Sequence, residues 1–258
     1  MNEKQKQQQK IIDLDTFQDV SLYQMIPSGT GMSLSYLKTI VDSVHYGQAK
    51  LSSLLITGKE GLQTHSSAFI RALGIDNYNE IDAYLLQHTY ELKVFFSVYN
   101  SEAHIIMNIE NTLQNIQKYL IDILKSGQYG IYNYIEDRLD IITVPGLVIL
   151  TTKNRNKVPA PLIDVVQHLV HLEDYTPQQL ELIILQRLKY ANIDYENQYI
   201  LEDIVRYGKN NLKQSIRFLK SCVVVMQSEG QCLLNAEHVI KAARLNRLND
   251  FGQDDSLF

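Results

Sequence analysis

Gly58 and Gly61 lie in the segment SLLITGKEGLQTHSSAFIRALG, Ser53 to Gly74, between an apolar strand-like run and an amphipathic helix. That is the outline of a phosphate-binding loop, whose glycines let backbone N–H groups approach phosphate oxygens. Such a loop also needs a lysine to neutralise the phosphates, and here the lysine is not in its place. Other constellations carry less. Of His65, His88, His104, His168 and His171, the close pair is His168 and His171 in QHLVHLE, where a strand would put residues three apart on opposite faces. No metal site is expected. Ser66 and Ser67 beside His65 lack an orienting acid and a G-x-S-x-G turn, so a hydrolase is rejected.

The elements that must hold this loop follow from hydrophobic spacing. MSLSYLKTIVDSVH reads as a helix, LSSLLIT as a buried strand and HSSAFIRAL as a helix. EIDAYLL is a second strand, QHTYELKVFFSVY a helix, AHIIMNI a third strand, and NTLQNIQKYLIDILKSG a helix closed by Gly127. QYGIYNYIEDRLDIITV reads as a β-hairpin with a polar tip, and GLVILTT as another short strand. Strands alternating with helices imply a parallel sheet with crossover helices. After Tyr175 the pattern changes to helices without intervening strands, opened by Thr176 as cap and Pro177 at the first helical position.

With 258 residues and 45% hydrophobic content, the chain can bury a large core or a core plus a smaller neighbour. A net charge of −5 supplies no global attraction to nucleic acid or acidic lipid, so any such contact must be a local patch. Cys222 and Cys232 have no metal-ligand spacing and fit a reducing, cytoplasmic setting. The start, MNEKQKQQQK, has no apolar targeting core, and runs such as VPGLVIL and SCVVVM are too short to span a bilayer.

The run LVILTTKNRNKVPAPLIDVVQHLVHLEDYTPQQLELIILQRLKYANIDYENQYILEDIVRYGKNNLKQSIRFLK resembles the AAA+ ATPases, most closely the RuvB-type Holliday-junction branch-migration motors. It looks like that family's sensor-1 strand, Pro-Leu-x-Asp segment, His-Leu-Glu-x-Tyr-Thr-Pro junction and helical lid. The resemblance extends from about Asp15 to the C-terminus. It implies a P-loop NTPase-like α/β core with helices on both faces of a parallel sheet, followed by a small all-α lid. The expected division is a tail at 1–14, the core at 15–174, the lid at 175–248 and a tail at 249–258. The ending LNDFGQDDSLF looks like the approach to the family's winged-helix domain, which is expected to be missing.

Carried over position by position, the resemblance implies that the chemistry has been lost. Gly58 and Gly61 match the loop's first two glycines, with Lys59 on its outer limb. Gln63 replaces the third glycine, Thr64 the lysine and His65 the magnesium-binding hydroxyl. In the Walker B strand, Asn108 and Ile109 replace the Asp-Glu pair, and Glu110 is expected on the other face of an extended strand. Sensor 1 survives as Thr152 or Asn154. Val165 replaces the arginine finger and Asn211 the sensor-2 arginine. The hairpin occupies the place of the presensor-1 hairpin, with which RuvB-type motors dock their junction-binding partner, so Tyr132, Tyr134 and Ile135 are the expected contacts.

Lys213, Arg217 and Lys220 share a helix face that could follow a phosphate backbone, although a solvated lid face is the favoured reading in a net acidic chain. Further cations gather at Lys153, Arg155 and Lys157. The expectation is therefore a pseudo-ATPase with no cofactor, acting as a scaffold or regulatory subunit in a bacterial DNA-processing assembly. Its partner would be a related AAA+ ATPase, a docking protein or another copy, with no membrane contact. The alternatives are an inert clamp-loader-like subunit, disfavoured because no Ser-Arg-Cys motif is present, and a deviant active ATPase using Lys59 and Glu110.

Overall fold

The structure, a computed structural model, describes residues 21–48, 50–97, 101–133, 137–144 and 146–246. These form two compact units, one of residues 21–25 and 30–173, the other of 26–29 and 174–246.

In the first unit the strands are β1 (Ser53–Thr57), β2 (Tyr78–Asp82), β3 (Ala103–Met107), the hairpin pair β4 (Gln128–Asn133) and β5 (Arg138–Thr143), β6 (Leu147–Thr152) and β7 (His168–His171). Five of them make a parallel sheet in the order β2-β3-β6-β1-β7, while β4 and β5 pair antiparallel with each other. The helices are α1 (Met32–His45), α2 (Leu62–Ala72), α3 (Thr89–Ser97), α4 (Gln114–Ser126) and α5 (Ala160–Val165).

The inner strands β1, β3 and β6 are largely apolar at successive positions because both faces of the sheet are covered there. Leu54, Ile56, Ile105, Leu147 and Ile149 join α1 and α2 in one core. Their alternating neighbours Leu55, Ile106, Val148 and Leu150 join α3, α4 and α5 in the other. Each fully buried side chain of this kind contributes about 1.5–3 kcal/mol, so the period-2 alternation itself holds the helices to both faces. Gly127 ends α4 in the left-handed region at φ +68°, as its spacing predicts.

Two elements differ from expectation. The second strand covers Tyr78–Asp82 rather than EIDAYLL, because the Asp82 carboxylate accepts the Tyr84 N–H and turns Ala83–Leu85 into a 3₁₀ turn. In the second unit α6 (Pro177–Ala191), α7 (Tyr199–Tyr207), α8 (Leu212–Ser228) and α9 (Ala236–Leu245) do not follow one another without strands. Asp194–Tyr195 (β8) pairs in parallel with Leu233–Leu234 (β9), a two-residue ladder too short to leave a periodic signature. Thr176 and Gln179 form a capping box at the start of α6. The Gln179 amide also accepts from the Gly29 N–H at 3.1 Å and donates to the Gly29 carbonyl at 2.9 Å. No helix among the described residues is long and apolar enough to cross a membrane.

Candidate functional site

All five parallel strands end on the same edge, so Thr57, Asp82, Thr152, His171 and Asn108, the residue after β3, come to one side of the sheet. The chain leaves β1 toward β2 and later crosses from β6 to β7 on the other side of β1. A crevice at such a reversal of strand order is where open α/β sheets hold ligands.

The loop after β1 is short. Its Gly58 N–H donates to the Thr152 carbonyl at 3.1 Å, and a Cβ at this position would lie 2.8 Å from the Leu172 carbonyl oxygen and 2.9 Å from Leu172 Cβ. Only glycine lets the two backbones approach so closely. Gly61, at φ +70°, caps α2. Lys59 is exposed, and so is Gln63, whose amide donates to both oxygens of Glu80 at 3.0 and 3.2 Å. Thr64 is half-buried.

His65 is only 1% exposed, with Nδ1 at 2.8 Å from the Gly61 carbonyl. Because a carbonyl can only accept, Nδ1 carries the proton and Nε2 is left as a buried lone pair with no protein partner. Burial holds its pKa below the ordinary histidine value. The unfolded chain therefore binds a proton on this residue more readily than the folded one. His65 contributes stability that is complete above about pH 6.5 and is lost as pH falls below it, at up to about 1.4 kcal/mol per unit. Urea unfolding at neutral and mildly acidic pH is expected to show this decline, and His65→Met to flatten it. An unchanged slope in the variant would assign the decline elsewhere.

The third strand ends before the acidic position, which overturns the expectation that Glu110 lies on the other face of an extended strand. Asn108, at φ +55°, turns the chain into a 3₁₀ turn over Ile109–Asn111. Glu110 is thereby brought back to the sheet edge, where Oε1 accepts the Lys153 N–H at 3.1 Å and Oε2 is buried with no protein partner. Ile109 is fully buried. The Asn108 amide donates to Asp82 at 2.7 Å, and its backbone N–H lies 3.4 Å from Thr151 Oγ1. Thr152 is buried, with Oγ1 accepting the Asn154 N–H, and Asn154 in turn caps the turn Arg155–Lys157.

Val165 is half-buried, packed against the core shared with α4. His168 and His171 do not meet: His168 Nδ1 lies 2.8 Å from the Tyr36 hydroxyl, and His171 Nδ1 lies 2.9 Å from Thr57 Oγ1. In the second unit Asn211 caps α8 by accepting the Gln214 N–H at 3.0 Å. On that helix Lys213 and Arg217 are exposed and Lys220 is half-buried.

Among the expected hairpin contacts, Tyr132 is 43% exposed and its hydroxyl bonds to Asp137. Tyr134 and Ile135 lie outside the described residues. Sequence reasoning missed Leu139 and Ile141, each 59% exposed. Tyr132 opposes Leu139, and Gly130 opposes Ile141, so these side chains share the outer face while Tyr129 and Ile142 share the inner one. Period-2 alternation through RLDIIT carried that signal, as did Glu80 and Asp82 in NEID for the sheet edge.

The parallel sheet with helices on both faces and the helical unit after it constitute the AAA+ form of the P-loop NTPase fold. In particular, this is the fold of RuvB. The chain is similar to the Thermotoga maritima RuvB Holliday junction branch migration motor, with a TM-score of 0.76 and 17% identity over 92% of this chain and 75% of that one. Two point mutants of the same protein give a TM-score of 0.77, one with 18% identity over 91% of this chain and 75% of its own, the other with 17% over 93% and 77%. No family model matches the chain, and no curated protein does.

Proposed function

We propose that this chain is an AAA+ protein that does not turn over nucleotide and acts by binding, as a scaffold or regulatory subunit of a bacterial DNA-processing assembly. The observation that carries the proposal is the Gln63–Glu80 pair, which brings a carboxylate to the first turn of α2, beside the position where the resemblance requires a cation. A magnesium–triphosphate does not fit this donor set. Thr64 supplies no charge, and His65 offers a buried neutral ring in place of a hydroxyl. The Asn108 amide is engaged with Asp82, and Val165 and Asn211 are uncharged at the positions where the resemblance calls for arginines. Each missing electrostatic contact is worth about 3 kcal/mol of transition-state stabilisation, and an arginine finger about 10³-fold or more in rate.

What remains is surface. The outer hairpin face of Tyr132, Leu139 and Ile141 is apolar, aromatic at one corner and built on paired strands, as a protein docking face requires. The partner is a protein, either a docking protein, a related AAA+ ATPase or another copy.

A deviant active ATPase draws on one observation, the unpartnered buried Oε2 of Glu110. Titration of a fluorescent ATP analogue with magnesium, paired with a phosphate-release assay, separates the two. No saturable binding into the millimolar range and no turnover are expected. Turnover abolished by Lys59→Ala or Glu110→Gln would overthrow the proposal.

A further inference from the structure

The turn between β6 and α5 has a composition that nucleotide chemistry does not require. Five consecutive residues, Lys153, Asn154, Arg155, Asn156 and Lys157, are all exposed, and they comprise three cations and two amides with no acid. The chain around them is net acidic, so the positive charge is local. Both ends of the turn are anchored, by buried Thr152 on one side and Val158, 5% exposed, on the other.

Its backbone is already satisfied from within. The Lys153 N–H goes to Glu110, the Asn154 N–H to Thr152 Oγ1, the Asn156 N–H to Asn154 Oδ1 and the Lys157 N–H to the Asn154 carbonyl. The cationic heads themselves have no such engagement: among the described residues none of the three forms an ion pair. Glu110, the carboxylate that reaches the turn, is engaged by a backbone N–H rather than by a side-chain cation. A turn whose main chain is fixed and whose cations point to solvent loses little entropy when it meets a polyanion.

We propose that the turn 153–157 is a docking point for the phosphate backbone of a nucleic acid, read without regard to base sequence. Lysine and arginine heads flanked by amide donors are the groups that contact phosphate and sugar oxygens. An acidic peptide would present carboxylates at irregular intervals, whereas a nucleic acid presents an unbroken row of charge. The inference goes beyond the function proposed above and stands whether or not the chain turns over nucleotide.

Fluorescence anisotropy of a labelled DNA duplex, titrated with the full chain at about 50 mM salt and repeated at increasing salt, tests it. The variant K153Q/R155Q/K157Q is expected to bind roughly tenfold more weakly or worse, with a log–log salt slope shallower by about 2.7, three contacts at ~0.9 each. Because these side chains are exposed and form no ion pair, the variant is expected to melt at the parent's temperature. K213Q/R217Q/K220Q in α8 is expected to keep the parent's affinity. The proposal is overturned if the parent does not bind, if the turn variant binds as the parent does, or if only the α8 variant loses affinity. Displacement of the duplex by polyglutamate at equal charge concentration would also overturn it, in favour of an acidic protein partner. Absence of ATPase activity in the same preparation bears on the function proposed above and leaves this result unaffected.

Discussion

Alanine in place of Gly146 is expected to cost on the order of 4 kcal/mol or more, enough to leave a chain of ordinary stability partly unfolded. The added Cβ would lie 1.5 Å from the Glu102 carbonyl oxygen and 2.4 Å from its carbonyl carbon. Both are backbone atoms and cannot rotate aside as a side chain would. Gly146 also has φ +75°, a left-handed conformation that costs an alanine a further ~1 kcal/mol. Relief would require pulling apart the start of β6 and the segment before β3, where the Leu147 N–H donates to that same carbonyl at 3.0 Å. The Ala103–Leu147 rung opens the β3–β6 register, which carries Asn108 and Glu110 to Thr151 and Lys153 at the far end. Guanidinium unfolding of Gly146→Ala measures the loss. A difference under about 1 kcal/mol would show that the β3–β6 junction is looser than described.

The second large effect concerns binding and should leave the fold alone. The double variant Leu139→Asp, Ile141→Asp places two carboxylates on the outer hairpin face, opposite Tyr132 and Gly130. Both side chains are more than half exposed, so the melting temperature is expected to stay within a few degrees of the parent. Association with a protein partner is expected to weaken at least about 30-fold, the effect of losing roughly 2 kcal/mol at a central apolar contact. Pull-down with the parent, repeated with the double variant and with Lys125→Ala as a neighbouring surface control, reads this out. Retention of the same partner by the double variant would remove the hairpin from the interface.

Much of the architecture was legible because burial imposes a period. A strand covered on both faces must be apolar throughout, and SLLIT and LVILTT could be little else. Helix ends announced themselves chemically, with Thr176, Pro177 and Gly127 each at the position their backbone preferences dictate. What escaped depended on one residue bending the chain. Asn108 in the left-handed region converts Glu110 from a strand residue into one that reaches back to Lys153, and asparagine adopts that conformation often enough to be permitted but too seldom to be foreseen. The Asp82 cap shortened a strand for a similarly local reason. At the hairpin, aromatic residues mark the tip, whereas the outward side chains of β5 lie further along the same ladder in a strand whose Ile141 and Ile142 are adjacent and blur the alternation. The burial of His65, 1% exposed, is a tertiary fact, set by what packs over α2 rather than by its neighbours in sequence.

The strand order also bears on how the chain is made. β1 has no partner nearby in sequence: it pairs with β6, beginning at Ser53 with Val148, and with β7, beginning at Leu54 with His168. A ribosome working at about 5–20 residues per second therefore releases SLLIT roughly 5–20 s before either neighbour exists. During that interval a segment with three consecutive core residues, Leu54 to Ile56, must stay out of aggregates, sheltered only by the elements made before Leu147. The helices of the second unit contact one another over much shorter separations and need no such wait. Synthesis under crowded or chaperone-poor conditions should thus lose the sheet-forming half first, and slower elongation between Thr57 and Leu147 should lower the soluble yield more than slower elongation after Leu245.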